Sequence, residues 1–246
     1  MTYFEGFVVP VPEAKRDEYR KHAAGAAPLF QEFGVKRMVE AWDNDVPEGK
    51  VTDFRKAVDA KADEKVVFSW FEYPSKAERD AATEKFMSDP RMKEMGETMP
   101  FDGKRMIVGG FTAIVEEGSP GGNFTDGFVV PVPTIKREAY CELAAKMAKV
   151  FRKHGASRVI ESIADDVKHG EVTDFYRAVK AEEGETVVFS FVEWPDKQTR
   201  DDAWTKIMAD ESLKPEGDMP FSGQRMFWGG FDNIVDTAKA REPADA

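Results

Sequence analysis

The chain has a single cysteine, Cys141, and only three histidines, His22, His154 and His169. One thiol excludes an internal disulfide. The histidines do not stand at metal-ligand spacing, so no metal is expected, and no nucleotide or other cofactor signature occurs either. Positive charge is scarce. The 35 Lys and Arg against 46 Asp and Glu give a formal net charge of −11, which disfavours polyanionic partners, because nucleic acids and anionic membranes are held by cations that neutralise phosphates. No apolar run approaches the ~20 residues needed to cross a bilayer. The opening Met-Thr-Tyr-Phe-Glu-Gly has neither the basic region nor the apolar stretch of a secretion signal. The sequence therefore reads as cytoplasmic, with neither nucleic acid nor membrane as a partner.

What the sequence has instead is a repeat. Gly6-Phe7-Val8-Val9-Pro10-Val11-Pro12 returns unchanged as Gly127 to Pro133, so the 246 residues divide into two similar units. The expected division is a first repeat over residues 1–117, a linker of turn residues at 118–123, a second repeat over 124–236 and a flexible tail over 237–246. None of the histidines is duplicated: His22, His154 and His169 align with Leu143, Phe33 and Glu48, and Cys141 aligns with Arg20.

Each repeat opens on a strand, Tyr3 to Val9 in the first copy, whose pairing is expected to end where Pro10 and Pro12 lack an N–H to donate. Tyr19, Ala23, Ala26, Ala27, Phe30 and Phe33 mark one face of a helix from Glu13 to Phe33, closed by Gly34; Gly155 closes its counterpart. Val35–Trp42 and Ala156–Ile163 read as strand two, and Val51–Phe54 with Val172–Phe175 as a short extra strand. Lys65–Tyr73 is too uniformly apolar for a sheet with one wet face, which predicts a strand covered on both sides. Ser75 is the expected N-cap of a helix over Lys76–Ser88, with Ala82, Phe86 and Met87 inward and Ala203, Ile207 and Met208 as counterparts. Arg105–Val115 forms strand four, where Gly109-Gly110 signals a bulge or a close approach. The resulting order, β-α-β-(β)-β-α-β, is that of the ferredoxin-like split βαβ fold. Helices cover one face of strand three only. The fold class is therefore α+β, with two tandem ferredoxin-like domains packing sheet to sheet as an intrachain pseudo-dimer.

These motifs also carry a resemblance. Gly-Phe-Val-Val-Pro-Val-Pro, Val-Thr-Asp-Phe, Val-Val-Phe-Ser, Met-Pro-Phe-x-Gly-x-Arg-Met and Gly-Gly-Phe, in that order in both halves, resemble the YbaA-like bacterial family of unknown function over almost the whole chain. The resemblance implies the dimeric α+β barrel superfamily, in which two ferredoxin-like units join sheets around a shared interior. Single-copy members would close that barrel as homodimers, whereas here both copies lie in one chain. The superfamily includes cofactor-independent monooxygenases, haem-degrading enzymes, dehalogenating enzymes and small-molecule binders, and fold does not choose among them. No catalytic residues come with the resemblance.

The duplication filters the candidates, since a polar residue present in both copies is a better one than a residue present once. Ser69 and Ser190 alternate with Val67, Phe71, Val188 and Val192; if that face lines the barrel, each hydroxyl needs a partner from protein, water or ligand, and a satisfied core hydroxyl is the simpler reading. Glu40 and Glu161 lie in apolar strand surroundings, where desolvation raises a carboxyl and prepares a general base. Glu72 and Glu193 end strand three. Arg105 and Arg225 either bind an anion or form structural ion pairs. Asp53 and Asp174 sit beside turns, where Asp ordinarily bonds local backbone. The expected function is binding of a small organic molecule within or beside the barrel. A cofactor-independent oxygenase or isomerase, and a non-catalytic structural or stress-related protein with a solid interior, are the alternatives. Cavity volume separates them, and further self-association through free sheet edges is open.

Overall fold

The computed structural model describes residues 1–214 and 217–239. Residues 240–246, most of the expected tail, lie outside the described residues. The first repeat contains β1 (Tyr3–Pro12), α1 (Arg16–Phe33), β2 (Arg37–Asp45), α2 (Phe54–Ala57), β3 (Glu64–Tyr73), α3 (Lys76–Ser88), α4 (Pro90–Glu97) and β4 (Ile107–Gly118). The second follows with β5 (Phe124–Pro133), α5 (Arg137–Lys153), β6 (Arg158–Asp166), α6 (Phe175–Ala178), β7 (Glu185–Trp194), α7 (Lys197–Ala209) and β8 (Phe227–Asp236). Among the described residues, the second repeat has a 3-10 turn, Glu211–Leu213, at the place of α4.

All eight strands join in one closed antiparallel barrel, in the order β1-β3-β2-β8-β5-β7-β6-β4. The repeats therefore meet edge to edge at two seams, β2 with β8 and β4 with β6, each carrying register shifts. Among the described residues, closure leaves no unpaired strand edge, the liability that open sheets must otherwise protect. The prolines of the repeated motif fit this scheme differently from expectation. β1 remains paired to β3 as far as Pro12 opposite Glu64, while its pairing to β4 stops at Val8 opposite Ile107. Pro10 thus lies beyond the β4 ladder, where a missing N–H breaks no bond on that side.

Two local expectations are corrected. Val51–Phe54 is not a strand. Asp53 accepts from the Lys56 backbone N–H and caps α2, as Asp174 caps α6 through Arg177. In the same motif Thr52 donates to the Ala178 carbonyl and Thr173 to the Ala57 carbonyl, both at 2.6 Å, so each repeat fastens the other's short helix. Met87 and Met208 point outward and are exposed, because α3 and α7 bury a narrow face centred on Ala82 and Ala203.

Aromatic side chains from both repeats pack across the barrel interior. Phe68 of β3 stacks on Phe189 of β7 with centroids 4.5 Å apart, and Trp70 stacks on Phe191 at 4.1 Å. Phe54 and Phe175, from the short helices, fill one end of this cluster. The other end holds Arg37, Arg158, Glu72 and Glu193. Arg37 reaches Glu193 at 2.6 Å, Asp236 at 2.9 Å and Glu72 at 3.1 Å, while Arg158 reaches Glu72 at 2.8 Å and Glu116 at 2.7 Å. Glu72 also accepts from the Trp70 indole at 3.0 Å. The alternation along β3 is the opposite of what a barrel-lining Ser69 requires. Val66, Phe68 and Trp70 face the interior, and Val67 and Phe71 face the helices.

Gly6 and Gly127 explain why the repeated motif begins with glycine. A Cβ on Gly6 would lie 2.7 Å from the Phe189 ring, and one on Gly127 would lie 2.9 Å from the Phe68 ring. Each glycine is the seat for an aromatic of the opposite repeat. Gly6→Ala and Gly127→Ala should each cost about 1–3 kcal/mol through overpacking, read by denaturant unfolding. Unchanged stability in both would contradict this packing.

Candidate functional site

Outside the barrel, the outward sides of β1, β3 and β2 form the floor of a cleft beneath α1, α3 and α4. Register fixes the residues on that floor. Phe7 stands opposite Ser69 and Ser69 opposite Glu40, while Glu5 stands opposite Phe71 and Phe71 opposite Met38. The cleft encloses about 300 Å³. The corresponding face of the second repeat carries Phe128, Ser190 and Glu161 below α5 and α7, in a cleft of about 870 Å³. Helix α4 accounts for part of the difference. It brings Met92 and Met95 over the first cleft, and Arg91 ties it to Glu32 of α1 at 2.9 Å.

Glu40 is 6% exposed and accepts from the Tyr19 hydroxyl at 2.6 Å. Glu161 accepts from Tyr140 at 2.8 Å. Both glutamates sit where the register slips at a seam, Glu40 beside the β2–β8 shift and Glu161 beside the β4–β6 shift. Such irregularities re-aim side chains. Among the described residues neither carboxyl has a cation within ion-pair distance. Burial pushes both up to about 7, partly offset by the hydroxyls of Tyr19 and Ser69 and of Tyr140 and Ser190. Burial, together with the adjacent carboxylate, in turn holds the Tyr19 and Tyr140 hydroxyls well above their ordinary range. Each cleft therefore contains a glutamate poised between its two protonation states, with a protonated phenol against it.

The other duplicated candidates lie elsewhere. Glu72 and Glu193 belong to the ion cluster at the barrel end. Arg105 does not meet Glu40. It grips Glu64 through two bonds of 2.7 Å and donates to the Asp59 carbonyl at 2.9 Å. Asp59 has φ 48°, the left-handed residue after α2. Arg225 holds Glu185 and the carbonyl of Lys180, φ 50°, in the same way. These arginines brace a left-handed turn, and no anion site is needed to explain them. Gly109 and Gly110 serve packing: a Cβ on Gly110 would run into the Tyr3 hydroxyl and one on Gly109 would lie 2.7 Å from Val167.

Three features escaped sequence reasoning. Tyr19 and Tyr140 were legible only as helix-face positions, although both are duplicated and carry a hydroxyl. Arg37 and Arg158 were visible as a duplicated Arg in strand two, without any sign that they turn inward. Glu5 aligns with Asp126, a shorter acid, and its role differs between the copies. In the first repeat Glu5 lines the cleft, and burial pushes its carboxyl up to about 7 against the opposing pull of Arg79. In the second, Asp126 is enclosed by Arg200, Trp194 and Trp204. Among the described residues no group of three or more His, Cys, Asp or Glu side chains could hold a metal ion, and no helix is long and apolar enough to cross a membrane.

Comparison with solved structures supports the architecture. A protein from Fusobacterium nucleatum, provisionally described as a monooxygenase, matches over 96% of this chain and 93% of its own, with TM-score 0.59 at 10% identity. Another so described, from Lactobacillus acidophilus, matches over 96% and 95% with TM-score 0.58 at 12% identity. At such identities the likeness concerns the fold alone. Sequence comparison is closer. The uncharacterized protein YbaA of Escherichia coli K12 is 68% identical over 117 residues, its whole length and 48% of this chain. The model of a protein family of unknown function, DUF1428, matches twice, at residues 2–103 and 123–223. The chain thus belongs to the DUF1428 family and carries its unit as a tandem duplication.

Proposed function

We propose that the protein binds small, largely apolar organic molecules in the two clefts between barrel and helices. The observation that carries this reading is the placement, in both repeats, of a glutamate carboxyl that is held by a tyrosine, and has no cation within ion-pair distance among the described residues, on the floor of a cleft walled largely by apolar side chains. Pockets of this kind, with apolar walls and a few convergent polar groups, are the usual form of a small-molecule site. The filled interior moves the site from the barrel axis to its flank. In this reading each repeat, 1–117 and 124–236, is a ferredoxin-like domain, the protein works in the cytoplasm, and its acidic surface keeps it from nucleic acid.

A catalytic reading has its own support. A carboxyl near neutrality is suited to taking a proton from a weak acid, and a neighbouring phenol can stabilise the charge that develops. Glu40 and Glu161 would be the bases and Tyr19 and Tyr140 the hydrogen-bond donors. The resulting anion is either reprotonated elsewhere, as in an isomerase, or oxidised by dioxygen, as in a cofactor-independent oxygenase; proteins of the same fold described as monooxygenases favour the second.

The neutral fluorophore N-phenyl-1-naphthylamine tests the binding reading. Its emission should rise on addition of protein, and the rise should disappear in a folded variant with both clefts filled, Ser69→Phe with Ser190→Phe. Undiminished enhancement in that variant would move the site elsewhere, and no enhancement with the wild type would sink the reading.

The acid also leaves a mark on stability. Glu40 titrates at about 7 in the folded chain against an ordinary value of 4.5, so the native state holds the proton more tightly. This contribution is complete below the unfolded value and is lost as pH rises through the folded one. The stability of wild type relative to Glu40→Gln should fall by on the order of 3 kcal/mol between about pH 4 and about pH 8. A difference that is flat with pH would show that the buried carboxyl is not perturbed.

A further inference from the structure

We propose that the first-repeat cleft takes an apolar ligand carrying a protonated amine, with Glu40 as its counter-ion and Glu5 adding a second negative charge to the same wall. The inference rests on the cleft-binding reading and assigns the ligand's charge.

Both acids lie on the outward face of the three-strand floor. Glu5 is one row from Phe7, and Phe7, Ser69 and Glu40 stand abreast. With strands ~4.8 Å apart and ~3.4 Å of rise per residue, their Cα atoms are ~12 Å apart at diagonal corners. A ligand lying across the floor meets one acid at each end. Among the described residues no Lys or Arg lines this cleft. His22, the remaining ionisable side chain on its wall besides Tyr19, is shifted by burial toward its neutral form.

Compensation from behind the wall is weak. Arg79 is the cation nearest Glu5, yet it lies 2.7 Å from Asp166 and 3.1 Å from Asp80, leaving 3.8 Å to Glu5. Glu40 accepts from the Tyr19 hydroxyl at 2.6 Å and has Ser69 opposite it, both neutral groups. The walls complete the match. Phe30, Phe86 and Phe101 line the cleft with aromatic rings and Met92 and Met95 with thioether side chains, groups that bury a hydrocarbon body while tolerating a nearby cation.

The second cleft lacks this bias, which makes the proposal specific to one repeat. Its acid equivalent to Glu5, Asp126, is sequestered by Arg200 at 2.8 Å and by the indoles of Trp194 and Trp204. Its described lining sets Lys136, Lys146 and Lys214 against Glu161, Asp210 and Asp218. An ammonium entering the first cleft loses water and regains a carboxylate. Hydrogen bonds to charged groups exceed neutral ones by an amount that corresponds to about tenfold in affinity.

The test uses the Ser190→Phe protein, in which only the first cleft is open, at about pH 8. N-phenyl-1-naphthylamine is displaced by 2-phenylethylamine, 2-phenylethanol or phenylacetate, which share a skeleton and differ in charge. The amine should displace the probe at about one tenth of the alcohol concentration, and the carboxylate least well. Glu40→Gln should abolish the preference for amine over alcohol, and Glu5→Gln should reduce it. Equal displacement by amine and alcohol overturns the inference and leaves the binding reading standing, since the probe is still bound. A preference that survives both substitutions also overturns it, because the general acidity of the chain would then be attracting the cation. Failure of the probe to bind removes both.

Discussion

The structure depends on reciprocal insertion. Phe68 of one repeat rests over Gly127 of the other, Phe189 rests over Gly6, and the two rings stack at 4.5 Å between them. Neither repeat supplies both the ring and the seat, so each half completes the core of the other. The ion cluster at the barrel end follows the same rule, since Arg37 from one repeat meets Glu193 from the other. Burying such charges is costly unless every member is paired, and removal of one leaves an isolated charge worth several kcal/mol. The apolar layers therefore supply the association, and the paired charges close one end of the interior.

A filled interior has a functional consequence. Strand three is apolar on both faces, and once Phe68 and Trp70 occupy the inside, Ser69 and Phe71 face the helices. The register slips at the seams between repeats place Glu40 and Glu161 on that outer floor. The clefts accordingly lie on the flanks, where helices rather than strands decide their size. Helix α4 narrows the first cleft, whereas the second repeat has, among the described residues, a 3-10 turn in that position. The two repeats carry clefts with the same carboxyl–tyrosine pair, and divergence at Glu5, His22 and α4 gives them different walls.

Much of this was legible in the sequence, and the remainder was hidden for physical reasons. The repeat, the helix over Lys76–Ser88, the Ser75 cap and a strand three with two covered faces follow from periodicity and local hydrogen bonding. Glu40 and Glu161 were identifiable because an acid duplicated within an apolar strand is unusual. The choice of which face of strand three turns inward was not readable, since Val66-Val67-Phe68 is apolar on both sides and the alternation carries no contrast. Val-Thr-Asp-Phe reads as a strand by composition, yet Asp53 capping and the bond from Thr52 to the opposite repeat override that propensity. Both are long-range or capping effects that composition does not encode. Glu72, Glu193, Arg105 and Arg225 passed the same duplication filter as Glu40 because symmetric structure preserves ion pairs as faithfully as sites.

The central claim is that Glu40 and Glu161, acids with no cationic partner among the described residues, stand in ligand-sized clefts outside the barrel. Carboxyl ¹³C chemical shifts followed through a pH titration, assigned with Glu40→Gln and Glu161→Gln, test it most directly. Titration of both groups at about 7 is the predicted result. Titration of both in the ordinary carboxylate range near 4.5 would mean that water or a cation reaches them, and would contradict the account.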